Sequence, residues 1–419
     1  MTAAAVRRRR ARIAVLGAGI MGCSLALFLA RRGHDVLLLD AAEAPMARAS
    51  RWNEGKIHLG YLYAADPSLR TAHRLLPGGL AFRPLVEELI GQSIAGVVTP
   101  EDDVFLVHRS SVVGADAMGR YFTELSRLAG EHPHADRYLV DVAGRVVRRL
   151  TTAELGALAD TKMVAAGFRV PERSVSTLWI ADRLVEAIHA ESRIELATGT
   201  RVVAVRREDR EGSPRWRIDT EPPRGAAATV VVNALWEGRI AIDAGVGLTP
   251  EPGWSHRYRQ SVFLRTSRPT TLPSAVVATG PFGDVKNYNG RDLYVSWYPA
   301  GLRVEGHGLS PPSIDGQAAS AAERCARETI AALGQVIPGI RDVAAGARMR
   351  VEGGWVFALG SGSLAHAAAT IHRRDRFGVR RRGGYLSVDT GKYSAAPWLA
   401  RDLADEIDGS MSRGGTRSA

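Results

Sequence analysis

The chain has 419 residues, 45% hydrophobic and 24% charged, with a formal net charge of +11. That length leaves room for two cored domains, and a count of two cysteines, Cys23 and Cys325, excludes a disulfide framework and suits a reducing, cytoplasmic setting. The positive charge comes from scattered arginine and from runs at Arg7–Arg10 and Arg380–Arg382; no zinc spacing, RNA-binding aromatic box or basic helix accompanies it, so neither a nucleic-acid partner nor a metal is expected.

Arg7–Arg10 leads into the apolar residues Ile13 to Ala30, a pattern that could pass for an export signal. Three spaced glycines and a direct continuation into a second strand pattern argue against a cleaved segment. No other stretch has the roughly eighteen uninterrupted apolar residues of a spanning helix. ARIAVL at 11–16 predicts a buried strand, followed by the turn Gly17-Ala18-Gly19-Ile20-Met21-Gly22. Cys23 to Arg32 predicts a helix stopped by Gly33, and DVLLLD at 35–40 a second buried strand ending in Asp40. Strand, glycine turn, helix and strand within about thirty residues make a minimal βαβ unit.

In this G-x-G-x-x-G, Gly17 permits the tight turn, Gly19 the approach of backbone to a pyrophosphate, and Gly22 close packing of helix on strand. The helix N-terminus adds unpaired N–H groups and the positive end of its dipole. Asp40 can accept both hydroxyls of a ribose and disfavours a 2′-phosphate. A dinucleotide is expected, with FAD and NAD both open at this point.

Further along, DVFLVH at 103–108 predicts a strand, 116–129 a helix, and LWIADRLVEAIHA at 178–190 another helix. TRVVAVRRE at 200–208 and ATVVVNAL at 228–235 are strand patterns, 255–306 is strand-rich and aromatic, and 317–336 is helical. GYLSVDTGKYSAAPWLARDLADEID closes the fold as strand, glycine turn and amphipathic helix, with 409–419 expected as a disordered tail.

Four segments together carry a family resemblance. Ala49-Ser50-Arg51-Trp52-Asn53-Glu54-Gly55-Lys56-Ile57-His58-Leu59-Gly60-Tyr61 resembles the second FAD segment of the D-amino-acid oxidase / glycine oxidase superfamily. That superfamily also includes sarcosine oxidase and the glycerol-3-phosphate and L-2-hydroxyglutarate dehydrogenases. VPERSVST at 170–177 is similar to the re-entry into its FAD domain, the strands at 200–208 and 228–235 to its adenine-side pair, and Val388-Asp389-Thr390-Gly391-Lys392-Tyr393-Ser394 to its flavin-contacting return. The resemblance implies an α/β protein: a Rossmann-type FAD-binding domain (1–95, 161–250, 346–408) with a mixed-sheet α+β substrate domain (96–160, 251–345). It implies FAD held by Gly17, Gly19, Gly22, Asp40, Ser50, Arg51, Asn53, Gly55, Lys56, Ile57, Val203, Ala234, Trp236, Gly391 and Lys392. Ala234-Leu235-Trp236-Glu237-Gly238 departs from the family's A-x-G or A-G, and no cysteine matches the covalent flavin link of sarcosine oxidases. Non-covalent FAD is the default, with a link through His58 the less favoured alternative.

The implied chemistry is removal of a hydride from a C–N bond of an amino acid or amine-bearing small molecule. Oxidation of a C–OH bond in a hydroxy acid, polyol or sugar is the alternative; a monooxygenase or a non-catalytic flavin protein ranks lower. Oxygen or a carrier would reoxidise the flavin, and the oligomeric state stays open. His58 and Tyr61 are expected near the ring as hydrogen-bond or acid–base groups, Lys392 at the flavin's N1 side, and Tyr298 and Arg303 at the substrate. Arg259 and Arg291 are further carboxylate candidates, and Tyr258, Tyr288 and Trp297 further pocket candidates.

Overall fold

A computed structural model of the protein describes residues 13–210, 213–314 and 319–415; the Arg7–Arg10 run lies outside them. Ile13–Leu16 and Val36–Leu39 are strands with every side chain buried, paired in parallel. Strands that are apolar on both faces need cover on both. The helix Ile20–Arg31 joins them and is buried from Ile20 to Ala30. Gly22 allows that intimacy: a Cβ there would lie 1.8 Å from the Gly17 carbonyl oxygen. Ile194–Ala197 extends this sheet on one side; Val230–Asn233, Tyr385–Asp389 and the antiparallel Gly378–Arg382 extend it on the other. In such sheets ligands sit beyond the carboxyl ends of the parallel strands.

The second sheet is mixed. In spatial order it contains Leu302–Gly306, Trp254–Thr266, Asp292–Trp297, Gly283–Asn287, Ala275–Ala278, Asp103–His108, Val164–Val170 and Arg148–Arg149, with Ala347–Leu359 also paired to Trp254–Thr266. Its outer core is closed by the helix Ala319–Val336, whose Ala326, Leu333 and Val336 pack with Val262, Leu264, Val285 and Val295. The fold is therefore the expected α/β pairing of a Rossmann-type domain with a mixed-sheet domain.

Two expected boundaries shift. Val164–Val170 and Ala347–Leu359, assigned by sequence to the FAD-binding portion, are strands of the mixed sheet. Alternation in a strand says which face is buried; it does not say which sheet supplies the partner. The terminal helix runs from Ala396 to Gly415, so residues 409–415 of the expected disordered tail are helical, and Met411 packs on the core. Residues 416–419 lie outside the described residues.

One long helix has no counterpart in the sequence reading. Arg70–Ile90 contains Pro77 and Pro84, both breakers in a helix interior. Its buried Ala72, Leu75, Leu76, Leu80, Phe82, Val86 and Leu89 form a continuous apolar stripe, and that burial outweighs the propensity cost. Gly78 and Gly79 bring it close: a Cβ on Gly79 would lie 2.5 Å from the His58 carbonyl oxygen, and one on Gly78 2.8 Å from Ala395 Cα. Among the described residues no helix is long and apolar enough to cross a membrane.

Candidate flavin and substrate site

A cavity of about 1090 Å³ is lined both by the glycine turn and Asp40 and by residues of the mixed sheet. At the turn, the Asp40 carboxylate accepts from Ala18 N at 2.6 Å and from Ala42 N at 2.7 Å, while Ser50 Oγ accepts from Ile20 N at 2.9 Å. Gly17 has φ +98°, and a Cβ there would lie 2.6 Å from the Ala234 carbonyl oxygen; one on Gly19 would lie 2.9 Å from Ser50 Oγ. The first turn of the following helix carries no acidic side chain, so its positive end is left for a ligand. A turn crowded at its glycine positions, opening on the first turn of a helix with a carboxylate beside it, fits the diphosphate and ribose of FAD.

The second segment divides in two. Ser50, Asn53, Glu54, Lys56 and His58 line the cavity. Arg51, Gly55 and Ile57 support it from behind: Arg51 pairs with Asp182 at 2.5 Å, Gly55 has φ +65° against the Val175 carbonyl, and Ile57 is wholly buried. Glu172 Oε1 accepts from Leu59 N at 2.7 Å and from Gly60 N at 3.3 Å, and Tyr138 donates its hydroxyl proton to the Ile57 carbonyl at 2.6 Å. Lys56 is spent on structure. It pairs with Asp103 and lies 3.3 Å from Glu172, and Asp103 also takes Lys286 at 2.6 Å. Burial opposes the Lys56 charge, yet Asp103 and Glu172 outweigh it and raise its pKa; burial pulls Lys286 down to about 8.

The C-terminal return is braced similarly. Asp389 accepts from Gly391 N at 2.9 Å and from Arg239 Nη2 at 3.0 Å, fixing the turn that presents Gly391 (φ +64°) and Lys392 to the cavity. Val203, Ala234 and Trp236 also line it; the Trp236 indole donates to the Trp355 carbonyl at 2.8 Å and takes φ +55°, where the family has glycine.

Of the residues expected at the reaction centre, His58, Lys392 and Tyr298 line the cavity. His58 is 1% exposed with Nδ1 unpartnered, and its Nε2 lies 4.0 Å from Glu54. Burial pushes its pKa well down, with Lys392 and Lys56 adding to that, so the ring is neutral at pH 7. Lys392 falls to about 8, through burial chiefly and through Arg374, Arg259 and Arg257, against the opposing pull of Glu54. Tyr61 is turned into the core instead, bonded to Ser126 at 2.6 Å and packed on Phe105 and Phe122. Arg303 sits at an exposed position of the edge strand Leu302–Gly306, and Arg291 is exposed as well. Tyr258 packs on Trp355, Tyr288 donates to the Glu54 carbonyl at 3.1 Å, and Trp297 packs on Phe282; none of the three lines the cavity.

Sequence reasoning missed Glu54, Tyr63, Arg257, Asp284 and Arg374, all on the cavity wall. Arg257 and Arg259 share a face of Trp254–Thr266 by the two-residue period of a strand, and that spacing was the available signal. Asp284, on Gly283–Asn287, accepts from Ser296 Oγ at 2.5 Å, and burial pushes its pKa up. Arg374 lies in an irregular loop that no pattern marks. Among the described residues no group of His, Cys, Asp and Glu is placed to hold a metal ion.

A diphosphate cradle joined through one cavity to a basic, aromatic chamber defines a two-domain flavin oxidoreductase. The family model of FAD dependent oxidoreductases, DAO, matches residues 12–390, and the chain belongs to that family. Glycine oxidase from Geobacillus kaustophilus superposes with a TM-score of 0.69 at 18% identity, covering 94% of both chains. Iminodiacetate oxidase from Chelativorans sp. BNC1 gives 0.66 at 17%, covering 95% of both. In sequence, 50 residues are 46% identical to a D-amino acid dehydrogenase of Azorhizobium caulinodans, a stretch spanning 12% of either protein. The protein is an FAD-dependent enzyme.

Proposed function

We propose that this enzyme takes a hydride from a C–N bond of an amino acid or amine-bearing small molecule. The observation that carries the reading is Arg257: the residue is buried, 4% exposed, with its guanidinium Nε unpartnered, on the wall of the cavity that His58 also lines. A buried guanidinium lacking an anionic partner is a carboxylate receptor in waiting. When bound, FAD supplies the two-electron acceptor. Arg257 and Arg374 anchor the substrate carboxylate, and Tyr298, which accepts from Arg257 Nη1 at 2.9 Å, keeps that arginine in place. The substrate amine binds unprotonated, its proton left to solvent, and His58 Nδ1, neutral and unpartnered, accepts a hydrogen bond from its N–H, so that the nitrogen lone pair is free as the C–H bond breaks. Lys392 offers positive charge at the return turn, where the resemblance puts the flavin's N1 side. Amine oxidation by relatives named as glycine oxidase and iminodiacetate oxidase supports the same bond type.

His58 also supports a second reading, since the same ring nitrogen would accept a hydrogen bond from the hydroxyl of a 2-hydroxy acid or polyol. An anaerobic bleaching screen with amino acids, amines, amino sugars and hydroxy acids separates the two. Loss of the flavin band with amino compounds is expected; bleaching by hydroxy acids alone would overturn the C–N assignment. Peroxide release on admitting air distinguishes oxygen from a carrier as acceptor. We assign FAD as non-covalent, to be released by acid precipitation, and place the enzyme in the cytoplasm on the strength of its two buried free cysteines.

A further inference from the structure

Four cations meet two carboxylates around the substrate part of the cavity. Arg257 and Arg259 come from one strand of the mixed sheet, Arg374 and Lys392 from the C-terminal return, with Glu54 and Asp284 as their anionic neighbours. Glu54 pulls on Lys392 and Arg259, and Asp389 on Arg374, but only at longer range, and the close contacts of these cations are with neutral groups. Arg257 donates to the Tyr298 hydroxyl, the Arg259 guanidinium lies 4.7 Å from the Tyr298 ring centre, and the Lys392 ammonium 5.8 Å from that of Tyr63. Arg257 Nε, Arg259 Nε and Arg374 Nη1 are buried without hydrogen-bond partners. Asp284 is already engaged by Ser296, and its buried carboxyl is shifted toward the neutral form, which widens the imbalance.

Buried charge is costly unless it is paired and hydrogen-bonded. One carboxylate has two oxygens and satisfies one guanidinium bidentately. A simple amino acid therefore leaves two guanidinium groups of this cavity without a carboxylate to meet them. This holds even with Lys392 assigned wholly to the flavin. Resting on the C–N reading above, we infer that the substrate is an amino or imino acid bearing a second acidic group, so that Arg257, Arg259 and Arg374 are shared between two anions.

The test uses the yellow holoprotein and unreactive probes. Flavin absorbance is followed while acetate, propionate, malonate, succinate or inorganic phosphate is titrated in. Malonate or succinate is expected to bind about tenfold or more tightly than acetate or propionate, and phosphate exceeding both diacids would identify a phosphate as the second group. R257M and R374M should each lose about tenfold of the dianion affinity while losing less for acetate. Equal affinity for mono- and dicarboxylates in the wild-type protein overturns the inference whatever the variants do. The parent reading is judged separately, by bleaching with aspartate and glutamate against alanine and 2-aminobutyrate in both enantiomers. Bleaching by alanine as fast as by the diacids would sink the diacid preference and leave C–N oxidation standing; bleaching by hydroxy acids alone would remove the C–N reading and leave the probe affinities to decide the anion count.

Discussion

Replacing Asp40 by asparagine isolates what one carboxylate does at the cofactor end. Its two oxygens accept from Ala18 N at 2.6 Å and Ala42 N at 2.7 Å, so the side chain fastens the glycine turn to the loop after the second strand before any ligand arrives. Each is a hydrogen bond to a charged group, contributing about 1.5–3 kcal/mol. Asparagine has one oxygen, so one backbone N–H would face an NH₂ donor. The apoprotein should lose about 1.5–3 kcal/mol of stability on that account. The loop term is common to apo- and holoprotein and cancels from cofactor binding. What differs is the bond from a ribose hydroxyl to the ionised oxygen; losing that one charge-assisted contact should raise the Kd for FAD by about ten- to a hundredfold. Thermal melting of the apoprotein reads the first quantity and fluorescence titration with FAD the second. An Asp40→Asn protein with unchanged melting and a Kd within about twofold of wild type would refute the assignment of Asp40 to both duties.

Two further outcomes follow from the charge arrangement. Asp103→Asn strips Lys56 and Lys286 of their shared counter-ion, leaving Lys56 with Glu172 alone; breaking a buried pair costs about 3–5 kcal/mol, so the holoprotein should unfold at clearly lower denaturant, and an unchanged midpoint would show the network to be dispensable. Lys392 titrates at about 8, charged below and neutral above, with Glu54, Arg374, Arg259 and Arg257 around it. Binding of succinate should therefore weaken as pH rises through that value and lose this step in Lys392→Met; a wild-type profile flat from about pH 7 to 9 would contradict it.

The cofactor half was legible in the sequence because it depends on local geometry. Gly17 and Gly22 sit where backbone meets backbone at distances no Cβ survives, Gly19 faces the Ser50 side chain, and Asp40 sits at the end of a short buried strand, so spacing alone reports them. The substrate half was legible only in fragments. Arg257, Asp284 and Arg374 come from separate strands and a loop, and the two-residue spacing of Arg257 and Arg259 puts both on one strand face without telling whether that face meets the cavity. Which strand sits at the edge of the mixed sheet and which faces the cavity is settled by pairing across long separations, and that pairing left Arg303 exposed and Arg257 buried. Tyr61 went into the core because packing with Phe105 and Phe122 claimed its ring, and Lys56 was taken by Asp103. The sequence determined the βαβ unit and its glycine turn; the tertiary structure alone decided which charged side chains are enclosed together, because the cost of burying a charge depends on neighbours that the chain brings from far away.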